Sequence, residues 1–182
     1  MKPEDFYIED AIAILERTPA SIGALLRDMP DVWTRATEGE GKWSPYQVVL
    51  HLVHGEQANW IPRARHILSG EPTPFAPFDQ MPQWAEGEGK SLSELLATFK
   101  ELRARNIDEL RAMNLGESDF KLIGQHPDFG QVTLGQLVAT WVVHDLDHVA
   151  QIARTMAKVY GNAVGPWQAY LSILRDREGK PQ

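Results

Sequence analysis

Thr133-Leu-Gly-Gln-Leu-Val-Ala-Thr-Trp-Val-Val-His-Asp-Leu-Asp-His148 is the stretch on which the reading of this chain turns. Thr133 followed three residues later by Gln136 is a capping box, a signal that a helix starts. Apolar residues behind it recur at helical spacing. The helix so opened is the longest expected, ending at Gly161 as its C′ residue. Inside it His144 and His148 stand four apart, so both imidazoles leave one face, one turn from each other. That is how a helix offers two nitrogens to one metal ion. With six histidines in 182 residues, such a pair alone is weak and needs a third.

Working outward, Ser91-Leu-Ser-Glu94 is another capping box, followed by Leu92, Leu95, Leu96, Phe99, Leu102, Asn106 and Leu110 at helical spacing. Ser44-Pro45 pairs an N-cap residue with proline at the first helical position and opens a helix toward Leu68. Pro62 should kink or end it, because proline lacks an N–H and crowds the preceding turn. Thr18-Pro19 carries the same start signal for a segment to about Met29, behind a piece over roughly residues 4–16 with Phe6, Ile8, Ile12 and Leu15. The sequence leaves open whether these are one bent helix or two. Residues 69–90, with Pro72, Pro74, Pro77, Pro82, Gly70, Gly87 and Gly89, read as a long crossover loop that lets its flanking helices lie parallel. Asn114 to Val132 reads as a second loop and Pro166 to Leu174 as a short amphipathic tail. No convincing period-2 strand is present. The expected fold is all-α: a four-helix bundle with a long crossover between its second and third main helices and short extra helices, in a single domain over residues 1–182.

A net charge of −7 and a pI near 5.3, with no cluster of Lys and Arg, argue against a nucleic-acid partner. No apolar run reaches transmembrane length, and the acidic start lacks a signal-peptide core, so the expectation is a cytoplasmic protein with no membrane partner. The absence of cysteine excludes a disulfide framework, a cysteine nucleophile and any thiolate metal site. A metal must be held by His, Asp or Glu. Sulfur chemistry, if there is any, must arrive on a small molecule.

The third histidine is His51. Stepping 100° per residue from it puts Gln47, Gly55 and Ala58 on one stripe, with room beside the imidazole. The same stepping brings Leu137, Thr140, Trp141, Gln151 and Thr155 near the His144/His148 face. Three neutral imidazoles from two facing helices would bind Zn²⁺, Ni²⁺ or Fe²⁺ and leave open positions. Spacing equally allows three core histidines satisfied by hydrogen bonds. Gln47, His54, Thr140 and Gln151 are candidates to line a pocket; Trp43 and Trp141 should pack the core beside it. Glu56 lies about 140° around the helix from His51, a poor position for a ligand. Asp145 and Asp147 flank the pair, where carboxylates can orient imidazoles, but read first as an exposed acidic face, and His66 and His126 read as solvated.

Two segments carry a resemblance to a known family. Lys42-Trp-Ser-Pro-Tyr-Gln-Val-Val-Leu-His-Leu52 resembles the W-S-x-x-x-v-l-x-H-L signature of the DinB/YfiT-like superfamily. Phe129-Gly-Gln-Val-Thr-Leu-Gly-Gln-Leu-Val-Ala-Thr-Trp-Val-Val-His-Asp-Leu-Asp-His-Val-Ala-Gln-Ile152 is similar to its f-G-x-v-T-L-x-q-L…H-D-x-x-H-x-x-Q-I signature. The resemblance implies a four-helix bundle, frequent homodimers, and metal ligands at His51, His144 and His148. Characterised relatives include thiol-dependent S-transferases and a maleylpyruvate isomerase. It therefore implies a small-molecule substrate and a low-molecular-weight thiol as candidate cosubstrate. A metal-dependent hydrolase and a non-catalytic metal-binding stress protein are the alternatives. No general acid or base is evident. Exposed-looking Trp60, Trp84 and Trp167 offer apolar surface for a homodimer.

Overall fold

The computed structural model describes residues 6–175; residues 1–5 and 176–182 of the expected 1–182 span, including the start of the 4–16 piece, lie outside the described residues. In chain order the elements are α1 (Ile8–Leu26), α2 (Asp31–Thr34), α3 (Pro45–Ala58), α4 (Trp60–Ser69), α5 (Met81–Glu86), α6 (Leu92–Ala112), β1 (Ile123–His126), β2 (Gly130–Thr133) and α7 (Leu134–Val159). Three of the long helices open on reciprocal caps. The Ser44 hydroxyl accepts from the Gln47 N–H while Gln47 Oε1 accepts from the Ser44 N–H, and Ser91/Glu94 and Thr133/Gln136 make the same exchange. Each cap stabilises its helix by about 1 kcal/mol. α3 packs on α6 and α7, and α1 on the same two helices, so α1 and α3 face each other across the bundle's diagonal. No described helix is long and apolar enough to cross a membrane.

Proline explains two local features. Pro62 lies in the first turn of α4, and the bond its missing N–H would make is to Ala58. The helix breaks there, at Asn59, which ends α3 and begins α4. The Thr18-Pro19 pair, by contrast, starts nothing. Pro19 lies inside an unbroken α1, and the Thr18 hydroxyl donates back to the Ile14 carbonyl at 3.2 Å. Pro19 cannot donate to the Leu15 carbonyl one turn earlier, and that carbonyl instead accepts from Arg103 Nη1 at 2.8 Å.

Arg103 belongs to a buried polar layer. One apolar cluster includes Leu15, Trp60, Ile107, Leu134 and Trp141; the other includes Ile22, Val53, Phe99, Leu102 and Ile152. On α3, α6 and α7 the residues between the two clusters are polar: Glu56, then Arg103 and Asn106, then Asp145. Arg103 forks onto both oxygens of Asp145 at 2.6 and 3.0 Å and reaches Glu56 at 2.8 Å. Asn106 and the Trp141 indole donate to the same Glu56 carboxylate at 3.0 Å. Arg103 and Asp145 are 1% and 0% exposed, so the expected exposed acidic face is wrong at Asp145. It holds for Asp147, which is exposed.

The connections carry more structure than loops. Within 69–90, Met81–Glu86 is helical, because Pro82 falls in the first turn, where its missing N–H costs nothing. Within 114–132, β1 and β2 form an antiparallel hairpin, Ile123 opposite Thr133. It is held from outside: the Phe75 N–H donates to the Gln125 carbonyl at 2.9 Å, and Gly124 packs on Phe75 and Ile67. The tail forms 3-10 turns at Gly165–Tyr170 and Ser172–Leu174. Of the tryptophans expected at a surface, Trp167 is 71% exposed, Trp84 is half-buried, and Trp60 is buried, stacked 5.7 Å from Trp141.

Replacing Arg103 with Met strands two buried carboxylates. The Arg103→Met variant is expected to lose about 3–5 kcal/mol, read as a lowered urea midpoint. A loss below about 1 kcal/mol, the worth of an exposed pair, would show that the layer is solvated.

Candidate metal centre

α3 carries His51, and α7 carries His144 and His148 one turn apart. Packing of α3 on α7 brings the three rings together. His51 Nε2 and His148 Nε2 each lie 3.1 Å from His144 Nε2, and one nitrogen from each ring falls within 4.8 Å of the others. His51 and His148 are buried, while the His144 side chain is 24% exposed and marks the open side.

Hydrogen bonds behind the rings fix which nitrogen faces inward. His51 Nδ1–H donates to Gln83 Oε1 at 3.1 Å, and His148 Nδ1–H to Gln151 Oε1 at 2.8 Å. In the neutral rings this leaves both Nε2 atoms as lone pairs. A proton on His144 Nε2 can serve one of these neighbours and not both. A cation between the three satisfies all three inward Nε2 atoms, which is the fit test for a metal, and the donor set suits a borderline divalent ion. Burial, with the neighbouring imidazoles, lowers His51 to about 3 and His148 to about 4 from the ordinary 6.5. Both are therefore neutral, the state a ligand needs. His144 Nδ1 makes no hydrogen bond and lies 3.9 Å from Asp145 Oδ1. Burial would raise the Asp145 carboxyl, yet His144 and Arg103 hold it below its usual range. The buried layer thus sets a carboxylate directly behind the third ring. Metal-ligating imidazoles commonly have such a partner.

The three histidines line a cavity of about 700 Å³ whose walls include Trp60, Phe75, Phe78, Phe129 and Leu137. Thr140 lines it too, its hydroxyl donating to the Gln136 carbonyl at 2.7 Å. Gln151 lies behind His148 instead of in the wall. Gln47 is not in the wall either, because its side chain closes the α3 cap. His54 is buried about 60° around α3 from His51, with Nε2 2.8 Å from the Asp79 carbonyl. It fastens the crossover. His66 pairs with the Thr73 carbonyl at 2.7 Å, whereas His126, expected in solvent, lines the cavity and stacks on Phe129 at 4.4 Å. Trp43 lies 4.9 Å from His51. Glu56 is occupied by Arg103 and Asn106, in keeping with its poor position for a ligand. Sequence spacing missed Gln83, which is wholly buried on α5, and Arg63, half-buried in the cavity wall. Gln83 carried no periodic signal, and Arg63 became informative only once the hairpin closed over it.

Comparison with known proteins shows the family and agrees with the fold. A profile of the DinB superfamily matches residues 14–152. The chain is 28% identical over 145 residues to YfiT of Bacillus subtilis strain 168, designated a candidate metal-dependent hydrolase, covering 78% of this chain and 79% of that protein. A relative of Oceanobacillus iheyensis with the same designation is 24% identical over 150 residues, covering 81% and 85%. The solved structure of YfiT, described as an unusual four-helix bundle, matches with a TM-score of 0.71 at 28% identity, over 87% of this chain and 93% of that one.

The depressed imidazoles have a thermodynamic signature in metal-free protein. Above pH about 6.5, folded and unfolded chains are both neutral at His51 and His148, and these groups give no slope. Below it the unfolded chain takes up protons that the folded site refuses until pH nears 4 and then 3, so stability falls as pH falls. The urea midpoint of chelator-treated protein is expected to drop between pH ~6.5 and ~5, above the carboxylate range. A double His51→Gln, His148→Gln variant should show a flatter profile. Equal slopes in the two proteins would contradict the assignment.

Proposed function

The chain belongs to the DinB superfamily, and we propose that it is a metal-dependent enzyme acting on a small molecule in the cavity over His51, His144 and His148. The observation that carries this reading is the convergence of three imidazoles, two with inward lone pairs, at a cavity of about 700 Å³. Zinc, nickel and iron are the ions that suit the donors. Such an ion, when bound, supplies Lewis acidity toward a water, a thiol or a carbonyl oxygen. The chain's part is to keep the ligands neutral, to aim His51 through Gln83 and His148 through Gln151, and to keep one side open at His144. Asp147 is an exposed carboxylate in the cavity wall.

The reaction we propose is transfer to a low-molecular-weight thiol, His144 marking the side from which both reactants approach. The family resemblance supports this, and the absence of cysteine is compatible with it and with hydrolysis alike, since the cosubstrate would bring the sulfur. The volume accommodates a thiol beside an electrophile. Hydrolysis is the second reading, favoured by the designation of the two curated relatives. A homodimer is proposed from the family resemblance; exposed Val143 and Leu146 on α7 are apolar surface available to it.

Elemental analysis of untagged protein, with thiol-conjugation and ester-hydrolysis assays on the same sample, tests the reading. One equivalent of metal and saturable turnover in one assay are expected. His144→Ala and His148→Ala should lose metal and turnover and stay folded by circular dichroism, whereas His54→Ala and His126→Ala keep the metal. Gln83→Leu and Gln151→Leu should weaken metal binding by about 10–100-fold. A full equivalent of metal in His144→Ala would overturn the ligand set; metal without turnover would leave a binding protein.

A further inference from the structure

The wall of the cavity away from the three histidines is largely apolar and carries one guanidinium. Trp60, Phe75, Val132 and Leu137 form it, and Phe129, at the tip of the hairpin, lines the mouth while 78% exposed. Its ring stacks on His126 at 4.4 Å and adds apolar surface beside the cavity. Among the described residues lining the cavity, Arg63 is the single Lys or Arg. Its guanidinium lies 5.2 Å over the Phe75 ring and, among the described residues, donates once, from Nη2 to the Ala76 carbonyl at 3.3 Å. A guanidinium has five N–H donors, so most of this one is uncommitted. Burial lowers its pKa, and Asp128, the acidic neighbour that opposes the shift, is not in ion-pair contact with it. A partly desolvated guanidinium without a bound carboxylate favours an incoming anion.

A second group supports the same wall. Asn59, four residues before Arg63 and so one helical turn away, lines the cavity at 9% exposure with its Oδ1 buried and unpartnered. Its accessible amide atom is Nδ2, whose N–H groups can donate to the anion that Arg63 receives. Asn59 stands at the break between α3 and α4.

We propose that the substrate is a small carboxylate with an aromatic or similarly bulky apolar body: the carboxylate on Arg63 and Asn59, the body against Trp60, Phe75 and Phe129. Arg63 then determines specificity and positions the far end of the molecule toward the histidines. This inference rests on the reading of the cavity as a substrate site. Asp147 and Asp128 also line the cavity. Asp128 sits on the hairpin turn and disfavours an anion that overshoots Arg63, which restricts where the carboxylate can lie.

Calorimetric titration of the full chain as purified, with phenylacetate and with phenylacetamide as probes, tests the inference. Phenylacetate is expected to bind at least about tenfold more tightly, the worth of one charge-assisted contact. Arg63→Gln should erase that difference while retaining the metal content of the unsubstituted protein. Equal affinity for the two probes, or no binding of either at millimolar concentration, would overturn the proposal. So would a preference that survives in Arg63→Gln, since the carboxylate would then sit on the metal. Metal content measured in the same samples tells failure of this inference from failure of the metal reading.

Discussion

Arg103 is the residue on which the rest of the structure hangs. It bridges the Asp145 carboxylate of α7, the Glu56 carboxylate of α3 and the Leu15 carbonyl of α1 from its own place on α6. One side chain therefore ties all four main helices at one level of the bundle. Burying one cation with two carboxylates is not a cheap source of stability, and a well-packed apolar layer would do as well or better. What the arrangement supplies is register. Asp145 cannot slide along α7 without stranding a charge, and His144 and His148 are fixed to the same turns. Pro19 completes the cage by leaving Leu15 without its helical donor.

The metal centre grows from that layer. One excess negative charge is buried beneath it, and Asp145 stands 3.9 Å behind His144. Such a charge favours a cation above it and is costly without one. Behind the other two rings, the amides of Gln83 and Gln151 choose the tautomer. Each ring thus has a different partner, drawn from α5 and from two turns of α7. The crossover, fastened through His54 to Asp79, makes the wall that separates the site from solvent. Its length follows from its task, because it has to carry Gln83, Phe75 and Phe78 to three different places.

Local signals in the sequence revealed whatever depends on local chemistry. The boxes at Ser91 and Thr133 start α6 and α7, Ser44-Pro45 starts α3, and the four-residue spacing of His144 and His148 puts both rings on one face. What escaped depends on partners distant in the chain. Thr18-Pro19 resembles a helix start because nothing nearby shows that Arg103 replaces the bond Pro19 cannot make. Asp145 reads as solvated because its partner is 42 residues away. Gln47 looked like pocket lining on its stripe, but its short-range task in the cap took the side chain. Gln83 and the hairpin were invisible for a related reason: α5 and β1 are too short to show a period, and packing on His51, Phe75 and Ile67 holds them.

The central claim is that three imidazole nitrogens share one ion. X-ray absorption at the metal edge, on untagged protein as purified, reads that coordination directly. The account predicts a shell with three nitrogen scatterers at about 2.0–2.1 Å, carrying the multiple-scattering pattern of imidazole, and light oxygen ligands at the remaining positions. An all-oxygen shell, or one imidazole or none, would contradict it.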